Sequence, residues 1–139
     1  MDSDVIKAKA LLDNSSHTCV LIKGDACRFS DHRGVKPLLQ WLDEGADLHD
    51  YSAADKVVGK AAAYLYVLLG VKAVYARVIS TPSVTVLEEH GIPVFYDSQV
   101  DAIRNRTNTG LCPMEQAVKT AQSPQQALSL VRQALEKLS

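Results

Sequence analysis

The run Ala61-Ala62-Ala63-Tyr64-Leu65-Tyr66-Val67-Leu68-Leu69 carries no charged side chain and presents apolar or aromatic groups on every side of a helical projection. A helix of that kind is stable only with more than one face buried, so a fold of this chain has to be built around it. Upstream, Ser52 and Asp55 have the spacing of a capping box and are followed by Val57 and Val58. The pattern predicts one long helix opening at Ser52 and running to Leu69. In that helix Lys56 and Lys60 share a face. A glycine in an exposed helix interior costs about 1 kcal/mol relative to alanine, so Gly59 between the two lysines points to close approach by another backbone or a ligand.

The remaining elements follow from periodicity and punctuation. Asp4 to Asp13 reads as a surface helix, Thr18 to Ile22 as a strand, Lys23-Gly24-Asp25 as a tight turn and Ala26 to Ser30 as the antiparallel partner. After a polar loop from Ser30 to Gly34, Pro37 to Leu42 predicts a short helix ending before Gly45. Val71 to Ile79 contains a strand, Thr81 to His90 a helix closed by Gly91, and Ile92 to Tyr96 a second strand. Strand, helix, strand units are right-handed crossovers between parallel strands. The expected fold is therefore α/β: a three-layer α/β/α arrangement on a mixed sheet, with an N-terminal antiparallel hairpin followed by parallel strands. Cys112 to Ala121 gives one more short helix. Ser123, with Gln126 as its box partner, caps a last helix over 123–138 with a stripe of Leu128, Val131, Leu135 and Leu138.

With 139 residues, 47% of them hydrophobic, the chain has enough apolar surface for one sizeable core, and it is read as one domain over 1–139. Its 15 basic and 16 acidic side chains nearly cancel, which disfavours nucleic acid and anionic membranes as partners. No apolar run approaches the ~20 residues that cross a bilayer. The acidic start Met1-Asp2-Ser3-Asp4 is unlike a secretory signal, and cysteines at 19, 27 and 112 form no paired framework, so a cytoplasmic location is expected. The apolar central helix and a possible edge strand at Ile92 to Tyr96 permit a homodimer.

Three times a small polar residue precedes proline at a helix start: Thr81-Pro82, Cys112-Pro113 and Ser123-Pro124. At Cys112 a thiol replaces the usual hydroxyl. Unpaired N–H groups and the helix dipole favour thiolate there, which would make the sulfur a nucleophile or ligand. The other reading is a small apolar filler. The approach Asn105-Arg106-Thr107-Asn108-Thr109-Gly110 is rich in hydrogen-bonding groups and suits a polar or anionic ligand, with Asn105, Arg106 and Thr109 as contacts. Asp55 is a capping acceptor, a proton carrier, or both. Lys56 and Lys60 are charge stabilisers or solvated lysines. Arg33, Lys36 and Arg104 suit phosphate or carboxylate. Glu115 is a base or a capping acceptor at the third position of its helix. The histidines at 17, 32, 49 and 90 stand singly, so neither a metal nor another cofactor is expected.

The segments Ala54-Asp55-Lys56-Val57-Val58-Gly59-Lys60-Ala61-Ala62-Ala63, Arg33-Gly34-Val35-Lys36-Pro37-Leu38 and Asn105 to Glu115 resemble the bacterial domain-of-unknown-function family 1893, a likeness running from about Cys19 to Val118. The resemblance implies a cytidine-deaminase-like fold and no established activity. Zinc deaminases of that fold carry His-x-Glu and Pro-Cys-x-x-Cys at two helix starts. This chain has neither: Cys112-Pro113 reverses the order, and Glu115 stands where the second thiol would be. The fold would face two helix starts across one pocket, bringing Asp55, Lys56 and Cys112 together. Three functions remain open. One is a zinc-independent deaminase-like enzyme with Cys112 as nucleophile, acting on a small polar or nucleotide-like substrate, with Lys56 or Asp55 handling charge and protons. The second is a non-catalytic binding or sensor module for an anionic or nucleotide-like metabolite held by Lys56, Lys60, Arg106 and a helix terminus. The third is an interaction subunit with a decayed site.

Overall fold

A computed structural model describes residues 2–32, 34–105 and 107–138. The chain runs α1 (Ser3–Asp13), β1 (Cys19–Lys23), β2 (Ala26–Ser30), α2 (Lys36–Asp43), β3 (Ser52–Val58), α3 (Lys60–Leu69), β4 (Ala73–Ser80), α4 (Thr81–Glu89), β5 (Val94–Val100), α5 (Pro113–Ala117) and α6 (Pro124–Leu138). The strands form one mixed sheet in the order β2-β1-β3-β4-β5. β1 is antiparallel to both β2 and β3, whereas β3, β4 and β5 run parallel. The helix α1 covers one face, packing Val5, Ala8 and Leu12 on Val20, Ile22, Ala54 and Tyr75. On the other face α2 and α4 flank α3, and α6 packs against α3 from outside. This is the expected three-layer α/β/α arrangement, with the hairpin first and the parallel strands after it.

The long helix from Ser52 to Leu69 divides in two, and this corrects the sequence reading. Ser52 to Val58 is the central strand, hydrogen-bonded to β1 on one side and β4 on the other, and only Lys60 onward is helical. Ser52 and Asp55 form no capping box, and Lys56 and Lys60 share no helix face. Ala53 and Ala54 favour helix intrinsically. Here small side chains are needed because helices pack directly on both faces of β3, and burial between two neighbours overrides a weak local preference. Gly59, with φ −94° and ψ 179°, is the extended residue at which strand gives way to helix.

The inference from the apolar run holds. Ala61, Ala63, Leu65 and Tyr66 are at most 1% exposed, because α3 lies between the sheet and α6. Smaller differences have local causes. The strand β5 reaches Val100 instead of stopping at Tyr96, because β4 offers a partner as far as Ser80. Ser80, not Thr81, caps α4, accepting from the Ser83 N–H. The helix α5 ends at Ala117, with Val118 in a closing turn. Ser123 does accept from the Gln126 N–H, while the Gln126 side chain accepts from Gln122 rather than returning to Ser123. Leu138, assigned to the apolar stripe of α6, is exposed.

Candidate functional site

The first turn of α3 is closed by a side chain from far along the sequence. The Glu115 carboxylate, on α5 and 8% exposed, accepts from the Lys60 N–H at 2.6 Å and the Ala61 N–H at 3.1 Å. These are two of the donors that a helix start leaves unpaired, and the negative charge complements the dipole. A Cβ on residue 59 would lie 2.5 Å from the Glu115 carboxyl carbon, so the glycine is what admits the carboxylate. The close approach expected at Gly59 is therefore made by the chain itself. Glu115 is a capping acceptor, but for α3 rather than for its own helix.

A second polar group lies between β1, β3 and α3. Asp55 is the cross-strand neighbour of Cys19, and Tyr66 descends on both from the helix. The Tyr66 hydroxyl donates to Asp55 Oδ2 at 2.7 Å and lies 3.1 Å from Cys19 Sγ. Burial pushes the Asp55 carboxyl up to about 6, against the pull of hydrogen bonds from Tyr66 and from the Val57 and Lys56 N–H groups. Burial, and then the Asp55 charge, also drives Cys19 and Tyr66 well above their ordinary values. Asp55 is thus the member of the trio that exchanges a proton near neutrality, in the range where carboxyl groups serve as general acids and bases.

Asp55 Oδ1 also accepts from the Val57 N–H at 3.3 Å. An open crevice lies at the carboxyl ends of β3, β4 and β5, and its lining includes Val57 but not Asp55. Val57, Val78, Val100 and Ile103 give the crevice apolar walls, Asp101 and Arg104 stand at its rim, and its volume is about 460 Å³. In open α/β sheets the carboxyl ends of parallel strands are the usual place for a ligand. The Cys112 N–H donates to the Ile103 carbonyl at 3.0 Å, and Arg104 bridges to Leu111, so the segment bearing Cys112 runs alongside this wall. Cys112 occupies the N-cap position of α5, half-buried against the core, with no side-chain capping bond.

The other expected residues fall elsewhere. Lys60 turns its ammonium to the Lys119 carbonyl, 3.2 Å away, and over the Tyr64 ring. Lys56 lies on β3, its N–H donated to the Thr18 carbonyl. Asn105 and Thr109 bind each other, Oδ1 accepting from the Thr109 N–H at 3.0 Å, and so shape their own loop. Arg33 and Arg106 lie outside the described residues. Among the described residues no three His, Cys, Asp or Glu side chains cluster to hold a metal ion, and no helix is long and apolar enough to cross a membrane. Sequence reasoning missed Tyr66 and the valine walls. Their signals were the tyrosine inside an otherwise aliphatic helix, and valines recurring at strand ends.

The profile of the domain-of-unknown-function family DUF1893 matches residues 7–135. The chain belongs to the DUF1893 family. The match extends beyond the Cys19 to Val118 stretch that carries the sequence resemblance, taking in most of α1 and α6. The crystal structure of a DUF1893 family protein from Thermotoga maritima superposes with a TM-score of 0.85 at 23% identity, over 99% of this chain and 92% of that one. DUF1893 members therefore share this fold across low sequence identity. A diaminohydroxyphosphoribosylaminopyrimidine deaminase/5-amino-6-(5-phosphoribosylamino)uracil reductase from the same organism matches with a TM-score of 0.44 at 15% identity, over 68% of this chain and 35% of that one. That likeness carries no argument about chemistry. No curated protein matches this DUF1893 chain.

Proposed function

We propose that this protein binds a small molecule in the crevice at the carboxyl ends of β3, β4 and β5. One observation carries the reading: an open crevice of about 460 Å³ lies at the carboxyl ends of parallel strands, walled by Val57, Val78, Val100 and Ile103 and bearing the charges of Asp101 and Arg104. The walls supply apolar contact, and Asp101 and Arg104 supply the polar groups that fix a ligand's orientation. A thermal-shift screen of small metabolites tests the proposal, because a specific ligand raises stability by mass action. The expected result is at least one compound whose shift is lost in Val100→Trp, which fills the crevice from an exposed strand end. The reading fails if no compound shifts the transition, or if every shift survives the filling.

A covalent variant has one observation in its favour: the Cys112 N–H is bonded to the carbonyl of Ile103, a residue of the crevice lining. In it the Cys112 sulfur adds across an electrophilic double bond of the bound molecule, forming a carbon–sulfur bond as the π bond opens, and the thiol proton passes to the other atom of that double bond. Alkylation mapped to Cys112, and slowed by a crevice ligand, is the expected outcome. An alkylation rate no faster than that of a free thiol, and indifferent to the ligand, removes the variant.

A further inference from the structure

Resting on the crevice reading, the geometry points to a ligand class: we infer that the crevice takes a zwitterion with an apolar body, the simplest being an α-amino acid with a branched or aromatic side chain. Asp101 and Arg104 lie three residues apart on the segment that crosses the ends of β3, β4 and β5, and both line the crevice. Both are exposed, and among the described residues neither side chain has a hydrogen-bond or ion-pair partner, each other included. Between them the walls leave unusual amounts of hydrocarbon in water, with Val57 at 47% and Val100 at 38% exposure.

The three features select a ligand by exclusion. A purely apolar molecule covers the valines but shields two charges from water without pairing them, which costs more than it gains. An apolar anion satisfies Arg104 and is repelled by Asp101; an apolar cation has the reverse fault. A molecule with an ammonium, a carboxylate and a hydrocarbon body satisfies all three. The carboxylate lies on the planar fork of the guanidinium, the ammonium on Asp101, and the body on Val57, Val78, Val100 and Ile103. Neither charged residue holds up the fold, so this part of the site can be altered while the scaffold stays.

The test is calorimetric titration of the whole protein with L-leucine and L-phenylalanine beside their N-acetyl derivatives, which lack the ammonium, and their amides, which lack the carboxylate. Loss of one charge-assisted contact weakens binding by about tenfold or more. The expected pattern is binding of at least one free amino acid, with both blocked forms at least about tenfold weaker. Arg104→Gln should bring the free acid to the level of its amide and leave the amide unchanged; Asp101→Asn should do the same for the N-acetyl comparison. Equal binding of blocked and free forms, or no binding by either amino acid, overturns the assignment. In that event a different compound that shifts the transition and is lost in Val100→Trp would leave the crevice reading standing, and the absence of any such compound would remove both.

Discussion

At Asp55 a carboxyl held at about 6, against an ordinary value of 3.8, keeps its proton in the folded chain where the unfolded chain has released it. Between about pH 4 and about pH 6 the folded state therefore binds more protons, and stability falls as pH rises through that window before levelling off. The loss attributable to this group is on the order of 2–3 kcal/mol. Asp55→Asn should remove it, so that the difference in stability between variant and wild type moves in favour of the variant from pH 4.5 to 7, read by urea denaturation. Tyr66→Phe takes away the bond that holds the ionised form, and should move the Asp55 titration higher, read by carboxyl-carbon NMR. Gly59 gives the opposite kind of residue-scale prediction, one of space and not charge. Gly59→Ala forces a methyl group into the Glu115 carboxylate and should destabilise by roughly 1–3 kcal/mol. Glu115→Ala should cost about as much, for two lost charge-assisted hydrogen bonds. Combining the two should cost less than their sum, since the methyl group then meets no carboxylate.

At the scale of elements, α3 was legible and β3 was not. The nine residues from Ala61 to Leu69 announce burial on several sides by composition alone, and the structure supplies the sheet, α2, α4 and α6 around them. Leu65→Ala should therefore lower stability by about 2–5 kcal/mol, a core truncation rather than a surface one, measured by thermal or urea unfolding. The strand β3 was hidden because Ser52-Ala53-Ala54-Asp55 spells a helix start in local terms, and only pairing with residues 19–22 and 73–79 makes it a strand. Sequence neighbours hold no trace of those partners. The cost of Gly59 was visible, and the close approach it implied was real. What a helical reading could not supply was the identity of the intruder, because Glu115 looks like an ordinary third-position acceptor of its own short helix. The same limit hid the site. Asp55 was singled out for its carboxyl, but its neighbours Tyr66 and Cys19 are set by the crossing of α3 over the sheet, which spacing along the chain does not encode.

Across the whole molecule, protection is unequal between the centre and the margins of the sheet. β3 and β4 are hydrogen-bonded on both sides and covered by helices on both faces, whereas β5 pairs only with β4 and is exposed over most of its length. Hydrogen exchange should therefore find the slowest amides in β1, β3, β4 and α3, with β2 and the outer half of β5 exchanging earlier; uniform protection across all five strands would contradict this layering. The crevice belongs to the less protected side, formed by the ends of β3, β4 and β5 and the segment after them, which agrees with the proposal that it takes a ligand.

The pairing of Glu115 with the start of α3 also sets a schedule for synthesis. Its two acceptor oxygens lie 54 and 55 residues downstream of the N–H groups they satisfy, so the opening turn of the central helix emerges from the ribosome with those N–H groups left to water. At ~5–20 residues per second the delay is several seconds. A nascent chain stalled short of α5 would hold its most apolar helix with a frayed beginning, in want of a chaperone's shelter until the late carboxylate arrives.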